Sequence, residues 1–339
     1  MSVVTPTPGS SPALVNRLMD VEEASRLIGQ GGFYMVAGDE ALLRRLPRGN
    51  WIGGTIPYFM GDAGGLVSRE HLFVTGIPVC AEAPTIRYYD ITGLDHVCVD
   101  GPANGFSLII IPAFSGTHSL YARQAPGFED MFIKPLVGWV AGCHLDDFGR
   151  VSPLVVNGQD LSLDAERAVV MHVPLRENQF ARIEIFNALR QGNGDRFRFP
   201  ETGFSANWCF VNDVATDLAR YLEERKADIR LPLVADYGGA SVNVSIKGVD
   251  QTAGRVDFYA PVFANVEYRL AAPVDFSRAE GAEVSPDSPP VWSCNCILNY
   301  LYCGLEGRRT GLLTGPMTFG EIAYLLLNQT QVYLSIDEL

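Results

Sequence analysis

Apolar and polar positions alternate along this chain in short stretches, most of them too brief for helices. Residues 20–32 (DVEEASRLIGQGG) place a capping carboxylate, two acids in the first turn, a one-sided apolar stripe and a glycine stop in the right order, which predicts a helix. Residues 32–38 (GFYMVAG) then read as a buried strand and residues 39–46 (DEALLRRL) as an amphipathic helix. Strands follow at 50–59 (NWIGGTIPYF) and 71–77 (HLFVTGI). Residues 85–92 (TIRYYDIT) alternate in the manner of a strand; 106–111 is a more deeply buried one, and 137–142 begins a third. Between 151 and 186 the pattern is one of short strands separated by Asn-Gly, proline and charged turns, and 192–195 (GNGD) predicts a loop.

The second half begins with the clearest helical pattern, residues 212–226 (NDVATDLARYLEERK), with Leu218 and Leu222 inward. Strands are expected at 231–237, 241–249, 254–259 and 266–270, with a turn at Gly238-Gly239 and an exposed acidic loop at 279–290. Ser288 and Pro289 predict a helix over 290–306, and the chain should close as strand, turn, short helix, strand. The fold class is therefore α/β (α+β). A weak repeat sets residues 52–59 (IGGTIPYF) against 313–320 (LTGPMTFG), with Gly54 opposite Gly315 and Tyr58 opposite Phe319. Length and repeat together predict a disordered lead over 1–15 and two pseudo-duplicated halves, 16–195 and 204–339, each a mixed sheet with flanking helices. A hinge at 192–203 would join them, with a ligand pocket between.

Composition narrows the partners. A net charge of −13 over 339 residues argues against nucleic acid and anionic membrane surfaces, both of which need a basic face. The most apolar run, 108–114, is too short to span a bilayer and is interrupted by Pro112, and the first fifteen residues lack the features of a signal peptide. Seven cysteines without a C-x-x-C pair fit a reduced, cytoplasmic protein better than a disulfide scaffold or a zinc knuckle.

Candidate chemistry concentrates near the carboxy terminus. Cys294, Cys296 and Cys303 share the helix expected over 290–306; Cys294 near its start would be a thiolate in the helix field. Glu321 lies in FGEIAYLLL, where a buried carboxylate needs hydrogen-bond partners, and Asn328-Gln329-Thr330 reads as a turn before the last strand. His144 follows Cys143 and precedes Asp146 and Asp147, so it could act as a base or as a metal or haem ligand. His118, in SGTHSLYAR at a helix start with Arg123 nearby, marks a candidate anion site. Dinucleotide, P-loop, nucleophile-elbow and zinc-protease spacings are absent.

Residues 254–270 (GRVDFYAPVFANVEYRL), Trp292-Ser293-Cys294 and 315–336 (GPMTFGEIAYLLLNQTQVYLSI) resemble, in this order, the carboxy-terminal domain of FIST-domain proteins; residues 51–77 are similar to part of that family's amino-terminal domain. The resemblance implies a sensory, ligand-binding module. Its small-molecule pocket would be framed by Cys294, Asn295, Phe319, Gly320, Glu321 and Tyr58, with His118 and Arg123 contributing, and a separate signalling protein would read the bound state. Asn295, Cys296 and Asn299 stand where that family carries an arginine. This departure motivates an alternative, a cysteine-dependent hydrolase or lyase acting on a small acyl or amide compound, with Cys294 as nucleophile and His144 or Glu321 as acid/base. A third expectation, also implied by the resemblance, is a haem sensor using His118 or His144. No metal site is predicted, and the oligomeric state stays open.

Overall fold

Where apolar residues run without interruption, both faces of a strand are covered. This is the case in the middle of the sheet at the centre of the computed structural model, which describes residues 15–237, 240–278, 281–286 and 288–339. Most of the expected lead, the Gly238-Gly239 turn, and Ala279, Glu280 and Asp287 of the acidic loop lie outside the described residues. The fold is mixed α/β with five sheets and short helices. The central sheet runs Leu325–Leu327, Glu321–Ala323, Leu136–Ala141, Gly105–Pro112, Ala168–Pro174, Thr85–Tyr89, with one parallel pair, Gly105–Pro112 beside Leu136–Ala141. Leu108 and Ile110 point into the main core; Ile109 and Ile111 point the other way, under helix α3 (Gly116–Gln124, the third in the chain after α1, Val21–Gly29, and α2, Glu40–Leu43).

A second sheet, ordered Asn16–Met19, Leu72–Ile77, Phe33–Gly38, Asn50–Thr55, Val155–Asn157, Ser162–Asp164, packs one face on the main core and carries α1 and α2 on the other. The third sheet pairs the carboxy-terminal strands with strands from earlier in the chain: Gln179–Phe186, Gln331–Glu338, Pro290–Cys296, Gly315–Thr318, Tyr58–Gly61, Gly64–Val67. Residues 191–271 build the remaining two sheets around a core of their own, with Phe197, Phe258 and Tyr268 packed against helix α4 (Leu218–Glu224). The chain leaves the third sheet at Phe186, makes this insert, and returns to the same sheet at Pro290. No helix among the described residues is long and apolar enough to cross a membrane.

Several expectations are corrected. Residues 192–194 are not a loop but part of the strand Gln191–Arg198, which absorbs its glycines through an irregular register against Glu267–Ala271. A hinge there is thus replaced by sheet pairing, and two sheets mix strands from both sides of the expected division. The helix predicted over 212–226 loses its first half to a hairpin. Asn212 and Asp213, at φ 48° and 70°, turn the chain between Trp208–Val211 and Val214–Asp217, and α4 begins after its cap Asp217. The helix predicted over 290–306 is a strand, Pro290–Cys296, followed by a short helix α5 (Ile297–Tyr302). The alternation in VWSCNC has period two, and Gln331–Glu338 on one side and Gly315–Thr318 on the other supply ladder partners that a local helix signal cannot outweigh. The short helix expected after Gly320 is the strand Glu321–Ala323. The similar segments at 52–59 and 313–320 do meet, since Tyr58–Gly61 pairs antiparallel with Gly315–Thr318, although Tyr58 and Phe319 take different ring partners.

Candidate functional site

Cys294 and Cys296 alternate with Asn295 along one strand, so the two thiols enter the main core while Asn295 faces the opposite side. Cys294 is buried, its Sγ 3.7 Å from the Gly138 carbonyl. Burial, with Glu321 close by, pushes its thiol well above the usual range. The thiolate expected at a helix start is therefore overturned: the residue lies in a strand, and the helix that follows is capped by Cys296. Glu321 has no solvent exposure. Its Oε2 accepts from Thr330 Oγ1 at 2.7 Å and Thr330 N at 3.2 Å, and Thr318 Oγ1 lies 3.4 Å from Oε1. Burial raises its carboxyl to about 8, against the opposing effect of these hydrogen bonds. A single hydroxyl hydrogen on Thr318 serves the Gly320 carbonyl at 3.0 Å, so a proton on Glu321 Oε1 lets the acid donate to Thr318. Cys294, Cys296 and Glu321 form a sealed polar knot between the central and third sheets.

The remaining predicted residues are dispersed. The Tyr58 ring stacks on His144 at 5.6 Å and meets Tyr300 edge-on at 5.6 Å. His144 lines a polar recess of about 320 Å³ with Cys143, Arg69 and Asp147; Arg69 and Asp147 bond at 2.5 Å. Phe319 covers Gly142 and abuts Phe114, while the Gly320 carbonyl accepts from Val140 N at 2.9 Å. Tyr58 and His144 thus meet, as do Cys294 and Glu321, but His144 is not among the groups acting on that thiol.

At the start of α3 the amides are already taken. Gly116 N donates to the Glu166 carboxylate at 3.1 Å and His118 N to the capping Ser115 Oγ at 3.0 Å, so the chain supplies its own anion where an external one was expected. His118 is enclosed beside Phe204, burial lowers its imidazole to about 4, and it lines neither the recess of His144 nor the cleft between the main body and the insert. Neither this packed ring nor the polar recess of His144 offers the open apolar slot a porphyrin requires, so these residues do not fit haem.

One predicted residue reaches the largest cavity. Arg123, at the far end of α3, lines a cleft of about 930 Å³ between the main body and the insert. Its walls are Tyr121 and Ala122 of α3, the strand Leu325–Leu327, and apolar side chains of the insert such as Val242, Val244, Pro261 and Phe263. Most polar groups in the cleft are spent internally: Tyr121 Oη donates to the Tyr324 carbonyl at 2.7 Å, Tyr268 Oη accepts from Phe263 N at 2.8 Å, and Asn187 bonds Asn243 at 3.0 Å. Arg123 and Arg190 remain. Arg123 lies over the Phe204 ring at 5.5 Å, and neither has a carboxylate partner among the described residues. No described Asp or Glu lines the cleft. Arg190 carries no sequence signal, because the cleft is assembled from separate segments scattered between residues 121 and 327.

A family model covers residues 19–337, nearly the whole length. The chain belongs to DUF6976, a family of unknown function. No curated protein matches it. In this DUF6976 chain the chemically capable groups gather in the cleft, the recess and the buried knot.

Proposed function

We propose that this protein binds a small organic anion with an apolar body in the cleft between the main body and the insert, and that it acts as a sensor. The observation that carries this reading is electrostatic. In a chain with 39 acidic and 26 basic residues, the described residues of a cleft of this size present two arginines and no carboxylate. Apolar walls take the hydrophobic part of the ligand, and the guanidinium groups take its carboxylate, sulfonate or phosphate. The position of the cleft supports sensing, because a ligand touching both bodies changes how the insert docks, and a separate signalling protein could read that change. The resemblance of the carboxy-terminal stretch to FIST domains points to the same class.

Anilinonaphthalene sulfonate, which joins an apolar ring system to a sulfonate, is a suitable probe. Saturable fluorescence enhancement is expected for the folded protein, weakened at least tenfold when Arg123 and Arg190 are both changed to Glu. Unsaturable binding, or equal binding by the double variant, would sink the proposal.

A further inference from the structure

On the other side of the linker at 186–190 lies a smaller cavity, about 310 Å³, with a different character. Among the described residues its polar lining consists of four amides (Asn295, Asn299, Gln329 and Gln331), Thr310 and one charged pair, Asp275 and Arg278. Asn295 and Gln331 are buried, Asn299 is half-buried, and Thr310 is 5% exposed. Gln329 has both ends bonded to the insert, and each of the other three amides has one end tied to the protein and the other unused. Asn295 Oδ1 accepts from Cys296 N at 2.7 Å and Asn299 Nδ2 at 2.9 Å, leaving the Asn295 amide hydrogens. Asn299 spends its Nδ2 there, leaving Oδ1 as an acceptor. Gln331 Oε1 takes Ala282 N at 3.0 Å, leaving its Nε2. The Thr310 hydroxyl is buried with no partner. At the edge, Arg278 is neutralised by Asp275 at 3.5 Å, and Phe186, Leu189 and Phe276 provide apolar wall.

The free amide ends are accessible rather than sealed, and of this set only the Thr310 hydroxyl is buried without a partner, which is costly; a ligand that both donates and accepts completes the two donors, the acceptor and the hydroxyl. A carboxylate cannot donate to Asn299 Oδ1, and an ammonium group cannot accept from Asn295 or Gln331. Adjacent hydroxyl groups do both, and the C–H face of a ring suits the aromatic side. We infer that this cavity is a second binding site, for a neutral polyhydroxylated ligand of monosaccharide size. It is independent of the anion cleft.

Titration calorimetry of the whole chain with glucose, galactose, ribose and inositol tests this. At least one should bind saturably in the millimolar range or tighter. Thr310→Val keeps the shape and deletes only the unpartnered hydroxyl; it should weaken binding about tenfold while leaving the unliganded protein folded and no less heat-stable. Asn299→Asp, which keeps both its size and an acceptor but loses the amide hydrogens that hold Asn295, should also weaken it. Changing Arg123 and Arg190 to Glu should leave polyol binding untouched. The inference is overturned if none of the four binds, if Thr310→Val binds as tightly as the parent, or if the arginine variant loses the polyol, which would place it in the larger cleft.

Discussion

Glu321 is the residue at which the physical chemistry is sharpest. A carboxyl raised from its usual range to about 8 binds its proton more tightly in the folded protein than in the unfolded chain. The sign follows from linkage: the associated stability is complete below the unfolded value near pH 4.5 and is lost as pH rises towards 8, by an amount on the order of 3–5 kcal/mol. Between pH 6.5 and pH 8, above the range in which the buried histidines contribute a pH dependence, denaturant midpoints should therefore fall, and Glu321→Gln should flatten that slope; an unchanged slope in the variant would refute the assignment. The buried imidazole of His172, held between Tyr89 Oη at 2.8 Å and Ser107 Oγ at 2.7 Å and lowered to about 4 by burial, acts in the opposite sense. Its contribution is full above the unfolded value near pH 6.5 and is lost as pH falls towards 4. The thiols give a second check. In the native protein Cys80 and Cys303, both partly exposed, should react with an aromatic disulfide reagent, whereas Cys294 and Cys296 should react only after unfolding. Rapid native labelling of Cys294 would revive the nucleophile reading.

Strand pairing explains both the successes and the failures of local pattern. Helix α1 was legible because all its determinants are local: the Asp20 carboxylate accepts from Glu23 N at 2.7 Å, and Gly31 and Gly32 take positive φ just beyond the end. The stretch Pro290–Cys296 was not, because its ladder partners lie more than twenty residues away along the chain. The strand Leu136–Ala141 depends on a close approach that no periodicity announces. A Cβ on Gly138 would sit 1.8 Å from the Ile109 carbonyl oxygen of the neighbouring parallel strand. Gly138→Ala should therefore cost about 3 kcal/mol, the upper end of what overpacking a core usually costs, because the clash is with backbone. Thermal melting would register this as a large drop in Tm; a drop of only a degree or two would show that the two strands can separate without penalty.

The assembly of the two bodies rests on polar groups that read as a simple turn. Asn328, Gln329 and Thr330 are all buried. Gln329 accepts from Ser245 Oγ at 2.7 Å and donates to the Arg230 carbonyl at 3.1 Å, and the Asn328 carbonyl accepts from Asn243 Nδ2 at 3.1 Å. All three partners belong to the insert. Gln329→Ala should loosen its docking by about 1–3 kcal/mol, the cost of leaving such partners unmatched. Hydrogen exchange should then accelerate in Ala240–Val244 while Gly105–Pro112 keeps its protection; uniform acceleration would mean that the two bodies open together. The last strand, Gln331–Glu338, lies between Gln179–Phe186 and Pro290–Cys296 in the third sheet. Truncation after Thr330 removes an interior strand and should leave a chain without cooperative melting.

The order of residues along the chain was enough for the α/β class, the amino-terminal helix and strands, the doubly buried strand expected at 106–111 and the burial of Glu321. Each of these follows from capping, periodicity or the cost of an unpaired charge within a few residues. The insert, the strand character of Pro290–Cys296, the cleft with Arg123 and Arg190, and the amide-lined cavity were decided by tertiary contacts alone. Sheets are completed, and cavities enclosed, by segments that meet only after the chain has left the third sheet and come back to it. Local pattern records how a residue sits against its neighbours in sequence, and carries no term for the partner that arrives from a hundred positions away.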